Sequence, residues 1–282
     1  MTLLSGTDNT VAALGQSNRV CEVNLQLAAW QFEKVLAVMH VPFPELTALR
    51  LISDGETLPV IPDSFLDGSA PRLNSFNLDG IPFPGLPKLL LSSNHLAYLA
   101  PSNIPHSGYI SPEAIVALPS ELSDLESLFL EFRSPQSRPG RERRSLPPPK
   151  RSILALYEFH FKGVTEYLEE LVIRIDTPRL DHIHITFFNQ IDFNCSRLAQ
   201  FINCTPTLRV LDEAHVQFDD STASVRLRSR ASPSRIDDLM IYISCMEPDW
   251  QLSSIEQVCN FSLICTLFPR LRTSTSSNDI RN

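Results

Sequence analysis

His182-Ile-His184 is the spacing in this chain closest to a metal site, because residues two apart on a strand point to the same side. His160 would join them if its strand lay alongside, at the ~4.8 Å separation of neighbouring strands, with Glu158 and Asp181 as the nearby carboxylates. Such a trio would suit a metal- or small-molecule-dependent enzyme; the competing reading is polar surface, since no cysteine lies close by to strengthen the ligand set. Asp219-Asp220 and Asp237-Asp238 read as solvated turn or strand-end charges, because no EF-hand spacing surrounds them. The sequence contains no H-E-x-x-H, no G-x-S-x-G, no kinase motif set, no G-x-G-x-x-G and no G-x-x-x-x-G-K-[ST]. Its nine glycines fall well below the usual ~7% of a chain, which leaves little for phosphate-cradling loops. The expectation is a non-enzymatic protein with no cofactor and no metal.

What would hold these side chains in place is a repeat. The spacing apolar-x-x-apolar-x-apolar recurs at Val20/Val23/Leu25, Leu46/Leu49/Leu51, Leu73/Phe76/Leu78, Leu125/Leu128/Leu130, Leu156/Phe159/Phe161, Leu180/Ile183/Ile185 and Ile236/Leu239/Ile241. Weaker copies are Leu96/Leu99 with Pro101 in the last position, and Leu208/Leu211 with Glu213. The nine starts lie 23 to 31 residues apart, with a mean of 27, in or just beyond the roughly 20–29-residue period of leucine-rich repeats. The last two apolar positions of each copy share one strand face and point into a common core. Prolines two residues before Leu46, Leu73, Leu180 and Leu208 suit a chain turning extended into each strand.

Helix signals fill the longer connections: Ala28 to His40; Ser111-Pro112-Glu113, an N-cap with Pro at N1, running to Leu118; Thr165 to Ile175; Ser196 to Asn203; and a capping box at Ser253 to Glu256 reaching Asn260. The segments Pro59 to Gly68 and Ile81 to Pro87 read as irregular or 3₁₀. Strand-then-helix alternation implies an α/β leucine-rich-repeat solenoid of about nine repeats, with a curved parallel sheet on its concave side and helices and irregular segments on its convex side. A doubly wound α/β domain is the rival, without its glycine-rich turn.

The array is expected over residues 1–271, followed by a disordered polar tail at 272–282. Residues 133–151, with seven basic side chains against Glu142 alone, form a disordered, Pro-rich loop insertion. The net charge of -8 argues against nucleic acid and anionic membrane as partners. Six cysteines without a C-x-x-C pair read as reduced, mostly buried thiols, and no basic-then-apolar leader opens the sequence, so a cytoplasmic or nuclear location is expected. Open, uncapped strand edges are expected at Val20–Leu25 and Ile236–Ile243.

A solenoid of this kind presents the outward strand positions as a continuous concave surface for another protein. In this register the surface holds Arg50, Asn77, Asp79, Tyr98, Phe129, Glu131, Glu158, His160, Lys162, His182, His184, Thr186, Met240 and Tyr242, with Ala48, Ser75, Ser127 and Asp238 between them. Tyr98 and Phe129 read either as interaction anchors or as rings covered by the 133–151 loop.

Several segments also resemble a known family. Phe43-Pro-Glu-Leu46, Val60-Ile-Pro-Asp-Ser-Phe65-Leu66, Ala70-Pro-Arg-Leu73, Ile81-Pro-Phe-Pro-Gly-Leu-Pro87, Gly108-Tyr-Ile-Ser-Pro-Glu113, Phe161-Lys-Gly-Val-Thr-Glu-Tyr-Leu168 and Phe187-Phe-Asn-Gln-Ile-Asp-Phe193 are similar to the leucine-rich-repeat region of the large F-box protein family of mushroom-forming fungi. The resemblance spans roughly residues 3–271. It implies repeats that select a protein client for a cullin-type ubiquitin ligase, attached through an N-terminal F-box bound to a Skp1-type adaptor. With the first strand signal already at Val20, the F-box is expected to be absent, so adaptor binding is expected only if an F-box is present outside this chain. The expected function is non-catalytic recognition of a protein client. A degenerate family copy with no stable partner is the further alternative.

Overall fold

A computed structural model describes residues 7–53, 55, 58–117, 124–135, 152–190, 193–211, 213–229, 239–245 and 248–260. The insertion from residue 136 to 151, the 272–282 tail, Ile236 and the Asp237-Asp238 pair lie outside them. The chain divides into two compact α/β units, Met1–Leu156 and Tyr157–Asn282.

In the first unit, parallel strands β1 (Glu22–Gln26), β2 (Ala48–Ile52), β3 (Ser75–Asp79), β4 (Tyr98–Ser102) and β5 (Ser127–Glu131) are neighbours in chain order. Each begins where the repeat spacing placed it. The leading leucine closes a turn: Leu46, Leu73 and Leu96 donate their N–H groups to the carbonyls of Phe43, Ala70 and Ser93, at 3.1–3.3 Å. The next two N–H groups then share one carbonyl of the preceding strand. Thr47 and Ala48 donate to Cys21, Asn74 and Ser75 to Thr47, Ala97 and Tyr98 to Asn74, and Glu126 and Ser127 to Ala97. At the far end Leu27, Ser53 and Gly80 donate forward to Ile52, Asp79 and Ser102. The apolar spacing is therefore also a hydrogen-bonding period.

One face of these strands is dry, with Val23, Leu25, Leu49, Leu51, Phe76, Leu78, Leu99, Leu128 and Leu130 all buried. Each such side chain contributes about 1.5–3 kcal/mol by leaving water. Helices α1 (Thr7–Leu14), α2 (Ala29–Val38), α3 (Leu86–Leu90) and α4 (Pro112–Ala117) occupy the connections, together with a 3₁₀ turn at Phe65–Gly68. Ser111 Oγ accepts from the Ala114 N–H at 3.2 Å, the N-cap expected before Pro112. Helix α3 replaces part of the irregular stretch expected at Ile81–Pro87.

Pro101 has a visible cost. The bonds Tyr98 N–H to Asn74 and Gly80 N–H to Ser102 show that the even residues of β4 face β3. Pro101 therefore turns its missing donor towards β5, where pairing stops after Tyr98–Ser127 and Leu99–Leu128. It resumes at the Ile104–Phe132 bridge.

In the second unit β6 (Glu158–Gly163), β7 (His182–Phe187) and β10 (Leu239–Ser244) run parallel, and β8 (Glu213–Phe218) and β9 (Thr222–Arg228) form an antiparallel hairpin paired to β10. This corrects the eighth repeat copy. Leu208 belongs to a 3₁₀ turn (Thr207–Val210), and Glu213 opens a hairpin strand instead of ending a parallel one. β10 is consequently interior, between β7 and β9, so the edge expected at Ile236–Ile243 is covered over its described residues, 239–243. Helices α5 (Thr165–Val172), α6 (Ser196–Cys204) and α7 (Pro248–Asn260) follow β6, β7 and β10. α7 starts at Pro248, so Ser253 lies inside it and caps nothing. Gln251, 2% exposed, donates from Nε2 to the carbonyls of Asp219 and Cys245, tying α7 to the hairpin turn and to the end of β10.

Cys21 and Cys204 are exposed and Cys195 and Cys245 buried, so the described cysteines are not mostly buried. No helix among the described residues is long and apolar enough to cross a membrane.

Candidate functional site

The strand positions that alternate with the core residues are mostly half-exposed in both units, which leaves one face of each sheet open. Arg50, Asn77, Asp79, Tyr98, Phe129 and Glu131 lie on that face in the first unit, and Glu158, His160, Lys162, His182, His184, Thr186, Met240 and Tyr242 on that face in the second; Arg50 is exposed and the others half-exposed. Asp238 lies outside the described residues.

In the first unit, register aligns Arg50 with Asn77, Ile52 with Asp79 and Ser75 with Tyr98. The Tyr98 and Phe129 rings meet at 5.2 Å between centroids, half-buried against one another. Asp79 Oδ1 accepts from Asn103 Nδ2 at 2.7 Å, fixing the carboxylate at the end of β3. Arg133 reaches the Gly80 carbonyl at 3.4 Å.

The second unit concentrates more chemistry. Register places Glu158 beside His182, His160 beside His184 and then Met240, and Lys162 beside Thr186 and then Tyr242. His160 Nε2 lies 2.9 Å from Glu158 Oε1, and its ring is 5.0 Å from that of His184. The His184 ring is 4.9 Å from Tyr242, and the Arg226 guanidinium lies 5.9 Å from the centroid of the same Tyr242 ring. Lys162 Nζ stands 6.0 Å above the Phe188 ring. Burial pushes the His184 pKa below its ordinary value, and the nearby His160 adds to the effect by repelling a second positive charge.

The hairpin widens this face with residues that the repeat reading missed. Arg226 pairs in register with Met240 and then with His215, while Arg228 donates to Glu213 at 2.5 Å and His215 lies 3.5 Å from the same carboxylate. The signal was present in Ala214-x-Val216-x-Phe218 and Ala223-x-Val225-x-Leu227, a period-two alternation around Asp219-Asp220-Ser221.

The strand of His160 does lie alongside and sets His160 beside His184, but His182 takes the row of Glu158, and among the described residues no three His, Cys, Asp or Glu side chains gather as metal ligands would. What assembles is a strip of imidazole, phenol, guanidinium and ammonium groups on a rigid sheet, suited to stacking and charge-assisted contact. No family model matches this chain, and no curated protein or solved structure matches it either.

Proposed function

We propose that the chain is a leucine-rich-repeat solenoid that recognises a protein client, without catalysis, through the open faces of its sheets, as the client-binding part of an F-box-type ubiquitin ligase receptor. The observation that carries this reading is the row His160, His184, Met240, Arg226 and its neighbours Tyr242 and Lys162, set side by side by strand register on a face that no described helix covers. Strands that follow one another in chain order in the first unit, with the same turn and shared-carbonyl bonds at each step, support the solenoid. The family-like segments support the ligase context.

Affinity purification followed by mass spectrometry, with the 282-residue chain as bait, tests it. Tyr242→Ala and the paired reversal Glu158→Lys with Lys162→Glu are expected to fold normally, since these side chains are half-exposed. Each should lose the same client. A hot-spot aromatic is worth about 2 kcal/mol, roughly a 30-fold weakening. An identical protein set from wild type and both variants would refute the reading. Copurification with a Skp1-type adaptor addresses the attachment separately: no stoichiometric complex is expected with these residues alone, and such a complex would show that they include an F-box.

A further inference from the structure

β1 ends the strand order of the first unit, so one of its edges has no neighbouring strand among the described residues. Cys21 accepts from β2 through its carbonyl and Leu27 donates to it, so the odd residues of β1 face β2. The backbone groups of Glu22, Asn24 and Gln26 face the open edge. Along that edge runs a groove of about 530 Å³, walled by Ala13 and Leu14 of α1 and by Val20, Val23 and Leu25.

We propose that this groove is a strand-addition site for an extended peptide that runs parallel to β1 and is apolar at alternate positions. The occupant's geometry follows from the four strand-to-strand interfaces already present between β1 and β5. At each of them two consecutive N–H groups share one carbonyl of the preceding strand. Translated back by one repeat, the N–H groups of Cys21 and Glu22 require one peptide carbonyl, and the Gln26 carbonyl accepts one peptide N–H. Peptide side chains in register with Val23 and Leu25 fill the groove beside Leu14. Those between them lie next to Glu22, Asn24 and Gln26, where a cation is favoured opposite Glu22 and an acid is not. The site is separate from the open face invoked above and stands whether or not that reading holds.

The test uses the full chain and, as probe, a synthetic peptide copying residues 43–53, whose Leu49 and Leu51 occupy the register positions of Val23 and Leu25. In that register the peptide N–H groups at 49 and 51 face β1 and those at 48 and 50 face away. Saturable binding below about 1 mM is expected, with slowed amide exchange at Glu22 and Asn24. N-methylation at peptide positions 49 and 51 should weaken binding at least 10-fold, and at 48 and 50 less than 2-fold. Asn24→Pro, which removes an edge donor, and Ala13→Arg, which fills the groove, should each abolish binding while circular dichroism stays unchanged. The proposal is overturned by no saturable binding, by equal binding of both methylated peptides, or by unimpaired binding to Asn24→Pro. A dimer in sedimentation that Asn24→Pro dissociates would assign the edge to a second copy, and would overturn it too.

Discussion

Gly80→Ala is expected to destabilise the first unit by about 3–5 kcal/mol, a loss of the size reserved for backbone strain combined with a steric clash. Gly80 has φ +75°, a region that only glycine enters without penalty, and a Cβ there would stand 2.3 Å from the Ser53 carbonyl oxygen. Ser53 cannot yield easily. Its N–H donates to Asp79 at 3.0 Å and its buried hydroxyl donates to Leu27 at 2.8 Å, so moving it disturbs β1 and β3 together. Gly80 itself donates to Ser102 at 2.9 Å, linking β3 to β4. One methyl group therefore strains the ends of four successive strands. Urea unfolding followed by hydrogen exchange over residues 22–102 measures the loss. Gly15→Ala is the control: its Cβ would lie 3.3 Å from the Ala12 carbonyl without a positive φ, and a change within about 1 kcal/mol is expected. Equal effects at the two glycines would show that the β3 end relaxes freely.

The strands were legible because one pattern encodes two requirements. In Leu73-x-x-Phe76-x-Leu78, the first residue closes the turn and the other two enter the core, so a single spacing carries both turn and strand. The same pattern misled at Leu208. Leu208 and Leu211 are buried, as the repeat required, yet the following Glu213 starts a strand that runs antiparallel to β9. Burial alone does not fix strand direction; the Asp219-Asp220-Ser221 turn does, through the 2.8 Å bond from the Asp219 N–H to the Thr222 carbonyl. At α7, Pro248 at the first helical position was the true start signal, and Ser253 and Glu256 imitated a second one.

The open face was legible by parity, since residues flanking a buried strand position must point the other way. Its couplings were not. That His184 sits between His160 and Tyr242 depends on β10 lying next to β7, which in turn depends on the hairpin between residues 213 and 228 being displaced to the outer side of β10. The hairpin's share of the candidate face thus exists because one repeat copy failed to become a parallel strand. Arg226 and His215 enter the row through that exception.

Glu169→Ala should cost the second unit about 2–4 kcal/mol, because it strips two helix N–H groups of their acceptor at ~1–3 kcal/mol each. Glu169 lies on α5, is 9% exposed, and reaches across to α6, where its carboxylate accepts from Arg197 at 3.0 Å and Leu198 at 2.7 Å. It caps a helix that is not its own. Burial raises its pKa above the ordinary 4.5, while the two N–H groups and the Arg197 charge pull it part of the way back. Cys195 beside it is pushed up to about 12 by burial and by the Glu169 charge, so it stays a neutral thiol, and it adds little slope below about pH 7.5, where the thiol of the unfolded chain is protonated too. Because the folded state holds the Glu169 proton more tightly than the unfolded chain, this group's contribution is complete below pH 4.5 and declines as pH rises through the raised value. Glu169→Gln removes the titration and keeps one acceptor, so it should cost about 1–2 kcal/mol at pH 4 and less at pH 7. Thermal unfolding of wild type and both variants from pH 4 to pH 8 reads the sign directly. A wild-type advantage over Glu169→Gln that grows with pH would mean that the two N–H bonds to the carboxylate outweigh its burial, and that the link between α5 and α6 is held by charge.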